Sequence, residues 1–414
     1  MRSIFLAVAL AAAAGGCGGA SSPAEAVDAG SETPIVGDPV DVPIDGVTPD
    51  QIATFNAGDA LFDLPLREAD GLGPLYTRTS CSACHDEGTR GPGLVQKMSV
   101  VEADGKTPAK DQSKLAFGHT VHPLVAGGGK TPIVAPTGDP TIKVSIRVGP
   151  PVLGRGYMEA VLDSEIRRLA AEQAARTDGI KGRVNLVAYQ SEYNPAGKVH
   201  ATRKGEKVLG RFGLKARIPF LDDFVADAAQ GDMGITSPLR PNEFKNPDGL
   251  TDDAKPGVDI GLESLVLRAD YIRLIAIPRR SGLTARGAEL FASTKCGVCH
   301  ASGLATRPDY PIALLAGIKA DVYTDFLLHD MGDELADGLP AGEDGEATYR
   351  DWRTAPLIGL RFMKNYLHDS RAHSVEEAIA MHKGTGSEAS GSVDLFQALS
   401  PTDRATLLAF VEAL

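Results

Sequence analysis

The chain has 414 residues, 43% of them hydrophobic, which is enough for two or three domains with substantial cores and excludes a disordered protein. Its 54 acidic and 42 basic residues leave a formal net charge of −12. That balance argues against a nucleic-acid partner, since phosphate binding needs clustered cations, and favours a basic protein or a small neutral molecule.

The first segment, MRSIFLAVALAAAAGGC, carries one early cation, Arg2, then an apolar run from Ile4 to Ala14 and small residues before Cys17. This pattern predicts an export signal over 1–17, and the apolar run is too short to span a bilayer. Ala14-Gly15-Gly16-Cys17 resembles a bacterial lipobox, which implies lipidation of Cys17 and a periplasmic lipoprotein anchored at the outer rather than the inner membrane. Alanine stands where leucine is usual, and an ordinary signal cut near residue 20 is the alternative. Residues 18–49, rich in Gly, Ala, Ser, Pro, Asp and Glu, predict a flexible tether.

Order is expected from Asp50, with a helix over Gln51 to Phe62. In TIKVSIRV, Ile142, Val144, Ile146 and Val148 alternate with polar residues and predict a short half-buried strand. Tyr157 to Arg176 and Leu262 to Ala276 read as helices, the second ending at Pro278-Arg279-Arg280, a domain boundary. Thr284 to Ser293 predicts a further helix, and in the final segment Ser400 is an N-cap ahead of an apolar face of Leu407, Leu408, Phe410, Val411 and Leu414.

Four of the five cysteines fall in two identical frames, CSACH at 81–85 and CGVCH at 296–300. Two thiols separated by two residues and followed at once by an imidazole form the c-type haem attachment pattern. Cys81, Cys84, Cys296 and Cys299 would form thioethers, with His85 and His300 as proximal iron ligands. A single zinc held by both pairs, or a redox dithiol, needs no histidine after each pair. The expected fold is therefore mainly α: two cytochrome c-like haem domains with short β segments and long loops. The N-terminal haem domain, with insertions, covers 50–280 and the C-terminal one 281–414.

WRTAPLIGLRFMKNYLHDSRAHSVEEAIAMH (Trp352 to His382) resembles the C-terminal half of the bacterial di-haem cytochrome c peroxidase superfamily. GRFGLKARIPFLDDFVADAAQGDMGITSP (Gly210 to Pro238), DGIKGRVN (Asp178 to Asn185) and LLHDMGDELADG (Leu327 to Gly338) resemble its di-haem oxidoreductase branch. The likeness runs from about residue 50 to 414, with the motifs in the expected order. It implies an exported oxidoreductase with two covalent haem c groups. Electrons would enter at the C-terminal haem from a small cytochrome c or cupredoxin, and hydrogen peroxide would be reduced at the N-terminal haem.

The resemblance also implies site residues. A sixth ligand fourteen residues after the histidine of the HDG motif is His382, counted from His368, with Met381 as the rival thioether. The Gly-His loop FGHTVH offers His119 first and His122 second as displaceable ligands of the first iron, or as solvent-facing residues. Glu159 stands where this branch carries a glutamate and is the candidate proton shuttle, or a first-turn glutamate favoured by the helix dipole. Arg147 would hold a haem propionate or polarise bound peroxide; His329, His368 and Arg353 would contact propionates and support the second haem.

The chain also departs from the pattern. Leu214 stands where relatives often have tryptophan, and Ser370 turns HDG into HDS. The first-domain tryptophan that aids electron transfer is missing, leaving Tyr157, another route or direct tunnelling. The acidic run Asp333 to Glu346 could supply oxygens to Ca²⁺, or be a solvated loop. Two rival functions are a membrane-tethered di-haem electron carrier and an oxidase of a protein side chain. The enzyme of the superfamily that does the latter uses a tyrosine at the position of His382.

Overall fold

The computed structural model describes residues 35–36, 40–191, 199–251, 256–342 and 344–414. The export signal, Cys17 and most of the tether lie outside the described residues. Among those described there are ten helices: α1 (Pro49–Asp63), α2 (Arg155–Ala160), α3 (Asp163–Ala174), α4 (Leu221–Met233), α5 (Leu262–Leu274), α6 (Ala285–Ser293), α7 (Cys296–Cys299), α8 (Val375–Ala380), α9 (Ser390–Gln397) and α10 (Pro401–Glu412). Six two-stranded sheets accompany them, with long loops between, so the architecture is mixed rather than mainly helical. No helix among the described residues is long and apolar enough to cross a membrane.

Side-chain caps open four of the ten described helices, α1, α6, α8 and α10. Thr48 and Gln51 form a reciprocal capping box at α1, with Oγ1 of Thr48 accepting from the Gln51 N–H at 3.2 Å and Oε1 of Gln51 accepting from the Thr48 N–H at 2.9 Å. Thr284 caps α6 by accepting from the Gly287 N–H at 3.0 Å, and Ser400 caps α10 by accepting from the Asp403 N–H at 3.1 Å. Helix α1 lies against α5, its Phe55 and Phe62 rings 5.0 and 5.1 Å from the ring of Tyr271. Gly58 permits this approach, since a Cβ there would stand 2.2 Å from the carbonyl oxygen of Leu267.

Three stretches differ from the sequence expectation, the first being residues 40–49 of the expected tether, which pack on α5: Ile44 is 1% exposed and its N–H donates to Leu274 at 2.9 Å. The single helix expected over Tyr157 to Arg176 is broken at Val161, whose ψ of 136° is extended. There the backbone pairs with a distant segment: the Leu162 N–H donates to Ala305 at 3.0 Å and the Arg307 N–H to Ala160 at 2.8 Å. The strand Ile142–Val148 forms within its expected limits and pairs antiparallel with Leu94–Val100. Its faces are reversed, however: Val144 and Ile146 are 40% and 38% exposed, while Arg147 is 9% exposed because distant carboxylates receive it.

The largest core draws on both sides of residue 281, joining Phe55, Phe212, Leu265 and Tyr271 to Leu304, Tyr310, Phe326 and Ile358. A second core is made by Leu290, Phe291, Leu360, Val375, Phe396, Leu407, Phe410, Val411 and Leu414. Each such large apolar side chain contributes about 1.5–3 kcal/mol on burial. Together α6 and α10 deliver the chain to the turn that carries Cys296 and Cys299.

Candidate functional site

At the first frame the backbone N–H groups of Cys84 and His85 both donate to the Cys81 carbonyl at 3.0 Å, closing a tight turn that brings the two sulfurs to one side. Glycines let the chain close over it. A Cβ at Gly93 would lie 2.4 Å from the Cys84 sulfur, and one at Gly149 would lie 3.0 Å from the His85 ring. Burial pushes the thiols of Cys81 and Cys84 up to about 11 and about 12. His85 donates from Nδ1 to the carbonyl oxygen of Pro150 at 2.7 Å, which fixes the tautomer because a carbonyl only accepts. Burial pushes its imidazole down to about 4, so the ring is neutral with Nε2 as its basic nitrogen.

The second frame repeats this design. Helix α7 carries Cys296 and Cys299, the His300 N–H donates to Cys296 at 2.9 Å, and His300 Nδ1 donates to the carbonyl of Tyr323 at 3.2 Å. Burial again pushes the imidazole down to about 4. A cavity of about 250 Å³ is lined by Cys296, Cys299 and His300 and also by His382, Trp352, His368, Arg353, Met363, Arg90, Arg155 and Pro150. His382 donates from Nδ1 to the Ala378 carbonyl at 2.6 Å, and burial lowers its basicity. Met381 is not among the lining residues.

The remaining candidates are placed as follows. His119 donates from Nδ1 to the Met98 carbonyl at 2.9 Å and is half-buried, whereas His122 is buried and gives Nε2 to the Gly231 carbonyl at 2.9 Å. Arg147 reaches Asp337 at 2.9 Å and Asp344 at 2.8 Å, and its guanidinium lies 5.7 Å from the Trp352 ring centre. Glu159, 3% exposed, is held by Arg273 at 2.7 Å, the Tyr310 hydroxyl at 2.7 Å and the Leu221 N–H at 2.8 Å. Neither Arg147 nor Glu159 lines the cavity, and neither does Tyr157, while Leu214 does.

His329 lies between two carboxylates, Asp325 at 3.0 Å and Glu388 at 2.8 Å, so both ring nitrogens are taken and none is left for a propionate. The two carboxylates favour the charged form of its ring. His368 stacks on Trp352 with ring centres 3.7 Å apart.

Two carboxylates of the acidic run, Asp337 and Asp344, converge on one guanidinium nitrogen of Arg147. Asp333 faces Lys106 and Arg350, Asp337 faces Arg147 and Lys215, Asp344 faces Arg147 and Arg217, and Glu343 lies outside the described residues. These carboxylates are occupied by cations rather than arranged for Ca²⁺.

Sequence reasoning passed over Asp232, which burial pushes up to about 6 beside Cys81 and Cys84. It also passed over Arg90 and Arg155 on the cavity wall. Nothing local marks them among the 42 lysines and arginines.

These residues fit haem: each turn presents two thiols beside an imidazole of fixed tautomer, and at the second site His300 and His382 line one cavity. Residues 137–414 match the family described as "Di-haem oxidoreductase, putative peroxidase". Similar solved structures include xenon-pressurised hydrazine synthase of Kuenenia stuttgartiensis, with 13% identity over 96% of this chain and 100% of that one and a TM-score of 0.34. The diheme peroxidase BthA of Burkholderia thailandensis E264 shows 15% identity over 95% and 93% of the two chains, TM-score 0.39. A Tyr-to-Met variant of BthA shows 16% identity over 94% and 92%, TM-score 0.39. No curated protein matches. The match across 137–414, which takes in the second CxxCH turn and all of its cavity wall except Arg90, shows that the chain belongs to the di-haem oxidoreductase family.

Proposed function

We propose that the protein is an exported, lipid-anchored di-haem c-type oxidoreductase that reduces hydrogen peroxide at the first haem with electrons received through the second. In this reading residues 50–280 and 281–414 each carry one haem and share the core that spans residue 281, and a small basic periplasmic electron carrier docks on the acidic surface. The overall reaction, H₂O₂ with two electrons and two protons giving two waters, needs two electrons, which two communicating one-electron centres would supply. The observation that carries the reading is a shared wall: Pro150 accepts the hydrogen bond of His85 and also lines the cavity of His300.

When bound, the two haems supply one-electron storage and an iron able to take peroxide. The protein's residues hold and orient them. Cys81, Cys84, Cys296 and Cys299 are the attachment points, His85 and His300 the proximal ligands, and His382 the sixth ligand at the second site, supported by its place on the wall of the same cavity as His300. His119, on a half-buried loop, is the displaceable ligand at the first. Glu159 is better read as a structural anion, since its oxygens are occupied by Arg273, Tyr310 and the Leu221 N–H.

The test is an EPR spectrum of the oxidised protein, repeated after one-electron reduction and with hydrogen peroxide added. A high-spin component that appears on reduction and reacts with peroxide is expected. Two low-spin signals indifferent to peroxide in both states would make the protein an electron carrier instead.

A further inference from the structure

The cavity of the second site contains more buried positive charge than the surrounding residues neutralise. Arg155, the first residue of α2, is 6% exposed; its Nη1 meets the Met158 sulfur at 3.0 Å and its Nη2 donates to the Pro151 carbonyl. Arg353, 7% exposed, donates from Nε to Gly213 at 2.9 Å and from Nη1 to Thr354 at 2.8 Å, both backbone carbonyls. Arg90 leaves the loop after the first CxxCH, donates from Nη1 to the Asn365 carbonyl at 2.8 Å, and has a buried Nε with no acceptor. All three line the cavity, and among the described residues their hydrogen bonds go to backbone carbonyls and the Met158 sulfur, none to a carboxylate.

Arg268, 4% exposed beside Cys81 at the first site, likewise meets oxygens of Leu61 and Ser264, whereas two other buried arginines are paired with carboxylates. Arg273 meets Glu159, Asp222 and Asp270, and Arg147 meets Asp337 and Asp344. Buried guanidinium groups are normally compensated in this way, because the desolvation cost of an unpaired charge is large. Around the cavity the compensation is weak: burial pushes Arg155 down to about 9, with repulsion from Arg353 and Arg90 adding to it, and pushes Arg90 and Arg353 down to about 10 despite the more distant Asp369 and Asp325. The site is built for an anion that the polypeptide does not contain. A planar guanidinium matches a carboxylate, and haem brings two of them.

We propose that Arg90, Arg155 and Arg353 form one clamp for the propionates of the second haem, so that residues of the N-terminal half hold and tune the cofactor attached to the C-terminal half. The inference rests on the di-haem reading above. Arg90 and Arg155 both precede residue 281, and each is anchored close to the first site: Arg90 follows His85 on the same loop, and Arg155 binds the carbonyl next to the one that receives His85. A cation beside a redox centre favours the state with one more electron, so the clamp raises the potential of the second haem.

The experiment is a spectroelectrochemical titration of the full-length holoprotein, preceded by a haem count, on wild type, Arg155→Gln and Arg155→Lys. The expected result is a fall in the potential of the second haem in Arg155→Gln, with the first haem unmoved, and substantial recovery in Arg155→Lys. Potentials unchanged in both variants, or a shift confined to the first haem, would overturn the clamp. A wild-type protein without two covalent haems would instead sink the di-haem c-type reading. If Arg155→Gln fails to load haem, Arg90→Gln, on a half-exposed loop, carries the same titration with the same two outcomes.

Discussion

The Pro150 carbonyl oxygen accepts a 2.7 Å hydrogen bond from Nδ1 of His85, while the same proline lines the cavity around His300. The orientation of the first imidazole and the wall of the second site are therefore set by one short segment. Gly149 precedes it, and a Cβ there would fall 2.7 Å from the Cys84 carbonyl oxygen as well as against the His85 ring. Gly149→Ala should displace the Pro150 carbonyl and cost about 1–3 kcal/mol through overpacking. Haem quantitation combined with spectroscopy is expected to show disturbance of the first haem before the second. Equal loading and unchanged spectra would mean that the segment yields without moving His85.

His382→Ala should convert the second haem from low spin to high spin, whereas Met381→Ala should leave it unchanged, because only the histidine lines the cavity. Optical and EPR spectra of the two variants make the comparison. A low-spin second haem persisting in His382→Ala would transfer the position to Met363, the thioether on the same cavity wall.

Glu159→Gln should act on stability. The carboxylate is buried against Arg273, and removing one partner of a buried pair typically costs about 3–5 kcal/mol because the other charge is left uncompensated. Thermal unfolding should show a lowered Tm. An unchanged Tm with peroxide reduction slowed by about 10²-fold would restore the proton-shuttle role expected from sequence.

Asp344→Asn should destabilise by about 3 kcal/mol at neutral pH and flatten the acid limb of the stability profile. Burial raises the Asp344 carboxyl, but Arg147 and Arg217 outweigh burial and hold it well below its ordinary 3.8. A depressed folded-state value means that this contribution is complete above 3.8 and is lost as pH falls through the folded-state value. Denaturant titrations at pH 7, 4 and 3 would test it. Parallel profiles for wild type and variant would show that Asp344 contributes nothing to acid lability.

The features legible in sequence are those whose partners lie within a few residues. The two CxxCH turns close on their own backbones, and the caps at Thr48, Thr284 and Ser400 each bind an N–H three residues ahead. Helices α1, α5, α6 and α10 accordingly lie close to where apolar spacing and caps placed them. The HDS-to-His382 spacing pointed to a residue that does face the second site, on the strength of a resemblance rather than of geometry.

The tertiary structure decided everything that depends on partners far along the chain. The break at Val161 exists because residues 305–307 capture the backbone around it. Arg147 turns inward because Asp337 and Asp344, 190 and 197 residues away, are there to receive it, and Glu159 is drawn to Arg273 across 114 residues. No window of sequence contains both members of such a pair, and burying a charge is permitted only when its partner arrives. The sequence alone thus determined which residues could carry haem chemistry; long-range electrostatics and packing decided which charges were spent on the fold and which, around His300, were left for an anion.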